Sequence, residues 1–269
     1  MFRRLAALIA VVAIVASACG SAAAPALTDP KEIVSRSLTS LQGMTSFHLH
    51  AAVSGTLKVD LTGSGTATSL DLQGTVGDLD ADLATGDLHA SFDAASLLVS
   101  GDLIKIGDDL YAKADPLLPK YKKFSLDSLT SMLPIPSLAP SSAAPSVDPS
   151  GAIKDLSDAL GKLATPPVKD PDEQVNGQDC YRITIKITPA DIAAAGSAAG
   201  ASLPPEISSA TYSITLDEWV QKSDLRPVQF AAAVDAGDQG NIALTLTLSN
   251  VDQPVTITAP PADQIDTSP

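Results

Sequence analysis

The strongest constraint on this chain of 269 residues is an alternation of apolar and polar side chains that recurs along most of its length. The runs Phe47–Val53, Ile183–Ile187 and Ile242–Leu248 are examples. Because successive side chains of a strand point to opposite faces of the sheet, each run predicts a strand with one dry face and one wet face. There are about eleven such runs, separated by turn residues such as Asn176-Gly177, and together they predict an antiparallel meander.

Two segments depart from this period and predict amphipathic helices. Asp29 can cap a helix that begins at Pro30 and stops at Gly43, so the first helix is predicted over residues 30–42. The second helix follows the segment 134–150, which is rich in Pro, Ser and Ala and is predicted to be a loop or linker. Its apolar residues lie at helical spacing: Ile153, Leu156, Leu160 and Leu163. Residues 189–199 allow a short third helix.

The predicted sheet has more dry surface than these helices can cover. About eleven strands at about 4.8 Å spacing form a sheet about 50 Å wide, whose dry face covers on the order of 900 Å². The helices, each about 10 Å wide and up to about 20 Å long, cover about 400–600 Å². A soluble protein rarely exposes so large an apolar patch, so the sheet must curl around its helices, split into a sandwich or hold an apolar guest.

We therefore predict an α+β fold, a strongly curved antiparallel sheet (a half-barrel) with helices on its concave side that enclose an apolar cavity. A sandwich that fills its own core is the alternative, because it produces the same alternation.

The N-terminus has the pattern of an exported lipoprotein. Arg3 and Arg4 precede an apolar run, Leu5–Ala16, which is too short to span a bilayer as a mature anchor. Cys19 then stands among small residues at the position of a cleavage site, in the sequence VASACG over 15–20, which resembles a bacterial lipobox. We predict that the Cys19 thiol is acylated, for example with palmitate. The alternative is an ordinary signal peptide with an incidental cysteine.

This prediction divides the chain into four parts. Residues 1–18 form the signal peptide, 19–28 a tether, 29–259 the domain and 260–269 a flexible tail. The lipid anchor is expected to hold the domain on the extracytoplasmic face of the cell membrane.

Composition argues against several other classes of protein. The net charge of −14 repels a phosphate backbone, so no nucleic-acid partner is expected. His48 and His50 share one face of a strand, a spacing that zinc sites use, but the sequence offers no third ligand, and surface histidines are predicted. Cys180 is expected to be a buried free thiol. No Gly-x-Ser-x-Gly, P-loop or dinucleotide motif occurs, so neither an enzyme nor a cofactor is predicted.

Five stretches, taken in order, carry a resemblance to a known family. They are SLQGMTSFHL (40–49), DDLYAK (108–113), VNGQDCYR (175–182), ITLDEWV (214–220) and DLRPV (224–228). Together with the lipobox, this order resembles the actinobacterial envelope lipoproteins of the LppX/LprA/LprF/LprG type, over nearly all of the mature chain. Asp217-Glu218 and the long segment 134–150 depart from the family pattern.

The resemblance implies a half-barrel whose large apolar cavity holds acylated lipids or glycolipids and carries them from the plasma membrane towards the outer envelope. A membrane lipid exporter is a further partner that it allows. The alternative function is that of a structural or signalling lipoprotein with a filled core that binds a protein partner.

Apolar residues on the dry face are the candidates to line the cavity. They are Val34, Leu38, Leu41, Phe47, Leu49, Leu57, Val59, Leu70, Leu72, Ile104, Ile106, Ile153, Leu156, Leu160, Ile183, Ile185, Ile214 and Leu216. The only tryptophan, Trp219, is expected to anchor a strand rather than contact lipid at the rim of the cavity.

Overall fold

The structure, a computed structural model, describes residues 26–59, 67–125, 163, 165–198 and 212–266. Cys19, the loop 134–150 and the predicted stripe Ile153, Leu156 and Leu160 lie outside these residues. Two α-helices are present in the described part, α1 (Pro30–Ser40) and α2 (Pro189–Ala198). Neither described helix has the length and apolar character that crossing a membrane requires.

The described residues contain twelve strands, and ten of them follow the predicted alternation. The twelve strands are β1 (Ser46–Val59), β2 (Thr68–Asp71), β3 (Thr75–Asp82), β4 (Asp87–Ala94), β5 (Val99–Ile106), β6 (Asp109–Asp115), β7 (Leu118–Ser125), β8 (Val168–Val175), β9 (Gln178–Ile187), β10 (Ser213–Gln221), β11 (Pro227–Asp235) and β12 (Gly240–Ser249).

All twelve strands join one sheet, in the order β7-β6-β5-β4-β3-β1-β12-β11-β10-β9-β8, with β2 paired to β1 beside this path. Each pairing between these strands is antiparallel. The sheet is open, since β7 and β8 stand at its two ends. The described strands therefore form a single antiparallel sheet with few helices, as the alternation predicted, and not two packed sheets.

The pairing of β1 with β12 joins the two halves of the chain. Ten residue pairs, from His48 opposite Ser249 to Leu57 opposite Gly240, connect the meander β1–β7 to the meander β8–β12. Where β12 begins, at Gly240, the backbones of β1 and β12 approach each other so closely that glycine is required. A Cβ atom on Gly240 would overlap the carbonyl oxygen of Thr56, and Gly240 has a φ of +118°.

Helix α1 lies on one face of the sheet, which we call the helix face. Ile33, Val34 and Leu38 pack against Tyr181, Ile183 and Ile185 of β9 and Val220 of β10. The predicted cap is present, because the Asp29 carboxylate accepts a hydrogen bond from the Lys31 N–H at 2.9 Å. Glu32, in the first turn, pairs with Arg36 one turn later at 2.6 Å. A short 3₁₀ turn, Leu41–Gly43, ends the helix.

The two strands at the ends of the sheet were not predicted. β7 reads LPKYKKFS and β8 reads VKDPDEQV, so charged residues and a proline interrupt the alternation in both. Edge strands commonly carry charge and proline, because these discourage pairing with another chain. The missing alternation is therefore a consequence of their position.

The C-terminal segment corrects one further expectation. Residues 260–266 are not a free tail, since Ala262–Gln264 is a 3₁₀ turn and the Asp266 N–H donates to the Tyr121 carbonyl at 2.8 Å. Ile257 and Ile265 pack on the face opposite the helix face, in a cluster with Ile104, Tyr111 and Tyr121. The segment is held because it covers apolar side chains there.

Gly240→Ala is expected to lower the free energy of unfolding by roughly 2–3 kcal/mol, since it adds backbone strain and steric overlap where β1 meets β12. Urea unfolding followed by Trp219 fluorescence measures this. Gly43→Ala is the control, because a Cβ there meets no atom within 4 Å. Equal stability of the two variants would contradict the close approach.

Candidate functional site

An apolar cavity of about 280 Å³ lies between α1 and the helix face of strands β9 to β12. One side is formed by Val34 and Leu38 of α1. The strands contribute the remaining lining residues, which are Ile185, Leu216, Asp217, Glu218, Phe230, Ala231, Ala232, Leu244 and Leu246. Almost all of the surface is hydrocarbon, so the cavity suits an apolar ligand.

The register of the sheet creates this cavity. Ile185, Leu216, Ala232 and Leu244 stand opposite one another across β9, β10, β11 and β12 and form one row on the helix face. Helix α1 packs on β9 and β10, at one end of that row. Ala232 is the smallest side chain of the row, so space remains above β11.

The structure brings only some of the predicted lining residues to the cavity. Val34, Leu38, Ile185 and Leu216 line it. Leu41 and Ile183 belong to the adjoining core beneath α1. By register, Phe47, Leu49 and Ile214 face the same side of the sheet farther away. The four residues of the β1–β2 region are half-buried outside the cavity: Leu57, Val59, Leu70 and Leu72.

Two of the predicted lining residues, Ile104 and Ile106, lie on the face of the sheet opposite the helix face. The run Leu103–Ile106 places apolar side chains on both faces of β5, so the sequence alone does not show which of them face the cavity side. The inward residue is Leu103, which stands opposite Ala90. Ile104 is buried instead against Tyr111 and Tyr121.

Sequence reasoning missed the contribution of β11 and β12. Phe230, Ala232, Leu244 and Leu246 alternate in the same way as the residues that were chosen, and only the register shows that they lie next to Leu216. Glu218 was missed as well, although its signal was visible. It occupies an inward position between Leu216 and Val220, where the alternation demands an apolar side chain.

Glu218 is the one titratable side chain among the described residues that lines the cavity from deep within the core. It is 5% exposed, and the fully buried Ser37 of α1 donates its hydroxyl to Oε1 at 2.5 Å. Burial raises the pKa of Glu218 to about 7, against the smaller, opposite effect of the Ser37 hydrogen bond. A substantial fraction of the protein therefore holds this carboxyl neutral near pH 7.

Trp219, the next residue, lies on the opposite face and anchors strands there. Its Nε1 donates to Glu173 of β8 at 2.8 Å, and the Arg182 guanidinium lies 5.2 Å from the centre of its ring. Cys180 packs beside Trp219 and is fully buried, and burial raises the pKa of its thiol. Neither side chain contributes to the cavity.

The histidines also lie on the opposite face, where each hydrogen-bonds an aspartate. Nδ1 of His48 is 2.9 Å from Asp80, and Nδ1 of His50 is 2.7 Å from Asp78. Within the residues that the structure describes, no group of three or more side chains is arranged to hold a metal ion.

Stability is expected to depend on pH through Glu218. Below about pH 4.5 the carboxyl is protonated in both the folded and the unfolded chain. Between there and about pH 7 the unfolded chain releases a proton that the folded chain keeps, so stability falls as pH rises. Glu218→Gln should therefore gain roughly 2–3 kcal/mol over the wild type between pH 4.5 and 8.

Urea unfolding at a series of pH values measures this difference. Glu32→Gln, on the exposed side of α1, is the control and should show no comparable gain. A Glu218→Gln difference that does not change with pH would contradict a buried carboxyl.

Comparisons with known proteins give structural neighbours only. No family model matches the chain, and no curated protein matches it. The lipoprotein LppX of Mycobacterium tuberculosis matches at 18% identity and a TM-score of 0.45, covering 85% of this chain and 98% of that one. LprF of Mycobacterium bovis matches at 18% identity and a TM-score of 0.47, covering 86% and 96%.

A LolA superfamily protein of Nitrosomonas europaea matches at 12% identity and a TM-score of 0.25, again over 86% and 96% of the two chains. The LppX/LprF type named by the sequence resemblance is therefore found again among the structural neighbours of the chain.

Proposed function

We propose that this chain is a membrane-anchored lipoprotein that binds an acylated lipid or glycolipid in its apolar cavity and carries it across the cell envelope. The observation that supports this most directly is the hydrocarbon-lined space between α1 and strands β9 to β12. The family that the sequence resembles has the same implied role. Binding is by burial and release of acyl chains, with no bond made or broken.

The size of the cavity sets what it can take. An apolar cavity of about 150 Å³ stays dry and holds one benzene molecule. A volume of about 280 Å³ is nearly twice that and accommodates a segment of one acyl chain. Affinity then comes from hydrocarbon removed from water, at about 25 cal/mol per Å².

The rest of the helix face offers a path for a longer chain. Leu49 of β1 stands opposite Leu248 on one side and Leu79 on the other, and the row continues to Leu103 of β5. These side chains are half-buried and entirely apolar. An acyl chain that leaves the cavity along β12 would stay in contact with hydrocarbon.

The carrier role depends on attachment to the membrane, which we assign to Cys19. The segment between Cys19 and Asp29 is short, so an acyl chain on Cys19 would keep the domain near the lipid surface. A domain so placed can take a lipid from the outer leaflet and present it outward.

Native mass spectrometry of the protein purified from an actinobacterial host tests the binding. The wild type is expected to retain an acyl-lipid adduct. Ala232→Trp fills the cavity and should lose the adduct, while Ala233→Trp places the same side chain one residue along β11, on the exposed opposite face, and should keep it.

A wild type that carries no lipid would favour the filled, partner-binding alternative. Loss of the adduct in both variants would mean that tryptophan disturbs β11 itself, and retention in both would place the lipid elsewhere and overturn the assignment to this cavity.

Cys19→Ala is expected to abolish membrane attachment without changing the fold, because it removes the acylated thiol. Partition into the detergent phase of Triton X-114 measures this, with Cys180→Ala as the control. A Cys19→Ala protein that still enters the detergent phase would contradict the anchor.

A further inference from the structure

We propose that Glu218 and Ser37 form a polar recognition point inside the cavity that selects lipids carrying a free hydroxyl group next to the acyl chain, such as a monoacylated glycerol or sugar. This inference rests on the proposed function and names the class of lipid. The role is distinct from the burial of hydrocarbon by the rest of the lining.

The first argument is geometric. Glu218 lines the cavity and stands opposite Phe230 and Ile183, both on the helix face. Its Oε1 accepts the Ser37 hydroxyl, whereas Oε2 receives no hydrogen bond from any side chain or backbone group in the described residues. One carboxyl oxygen therefore remains available to a group that enters from the cavity.

The second argument concerns cost. A carboxyl that is 5% exposed, with one hydrogen bond and no cation against it in the described part of the chain, destabilises the fold. A glutamine could accept the same hydrogen bond from Ser37 at lower cost, and a leucine would continue the row of Leu216 and Val220. Holding α1 in place therefore does not by itself account for a carboxyl at this position.

The third argument is chemical. A ligand hydroxyl can donate a hydrogen bond to Oε2 when the carboxyl is ionised and can accept a hydrogen bond from the carboxyl O–H when it is neutral, so it pairs with either form. A fatty-acid carboxylate meets a like charge whenever Glu218 is ionised and is disfavoured. A methyl ester has no O–H to donate. Hydroxyl-bearing acyl lipids are thus the class that fits both the hydrocarbon and the carboxyl.

The test compares two lipids of equal chain length, monolauroylglycerol and methyl laurate, as competitors of the fluorescent probe N-phenylnaphthylamine. In the wild type, monolauroylglycerol is expected to bind about tenfold more tightly than methyl laurate, since a hydrogen bond to a carboxyl distinguishes them. In Glu218→Leu this preference should fall to about twofold or less.

A second measurement on the wild type alone keeps the test independent of the variant's folding. With ¹³C-labelled glutamate, the carboxyl NMR signal assigned to Glu218 is expected to shift on addition of monolauroylglycerol and not on addition of methyl laurate. For the competition assay, Ser40→Ala on α1 is the control variant. The Ser40 hydroxyl donates to backbone carbonyls, so its loss should leave the preference for monolauroylglycerol intact.

The outcomes separate the two proposals. An equal preference in the wild type and Glu218→Leu, or a carboxyl signal that responds to both lipids alike, overturns the role of Glu218 while leaving the cavity as a lipid site. If neither lipid displaces the probe from the wild type, the proposed function fails, and the inference fails with it.

Discussion

The antiparallel pairing of β1 with β12 is the interaction on which the rest of the structure depends. Without it, the chain would contain two smaller meanders, each with a dry face to hide. With it, the helix face becomes continuous from β9 to β6, and the apolar rows cross the junction in register. This join requires residues from opposite ends of the domain to meet, and its narrowest point at Gly240 leaves no room for a side chain.

The cavity follows from a mismatch on that continuous face. One helix of eleven residues packs on β9 and β10, while the apolar rows run on across β11 and β12. A small side chain, Ala232, stands where a larger one would close the gap. Hydrocarbon alone would bind any chain of suitable width. A buried carboxyl among these side chains gives the site a means to discriminate, at a cost in stability.

The spacing of apolar residues predicted the sheet and α1 well, because the periods of strands and helices are local properties of the sequence. It did not reveal β7 and β8, whose charges reflect their place at the edges, nor the face of Ile104, which packs in a cluster with Ile257 and Ile265 of the distant C-terminal segment. Phe230 and Leu244 were visible as strand residues, but their place beside Leu216 depends on register across four strands. Glu218 was visible in the sequence as a break in the alternation, but only the structure shows that its carboxyl lines a cavity.

The C-terminal segment affects how readily one molecule can pair with another through the edge of its sheet. Ile265 forms a single parallel bridge with Tyr121 on the free side of β7, and Lys120 Nζ reaches the Asp263 carbonyl at 3.2 Å. These contacts occupy backbone groups that could otherwise template a strand from a neighbouring molecule. Residues 262–266 thus cover part of the free edge of β7, and this cover leaves fewer backbone groups through which two molecules could aggregate edge to edge.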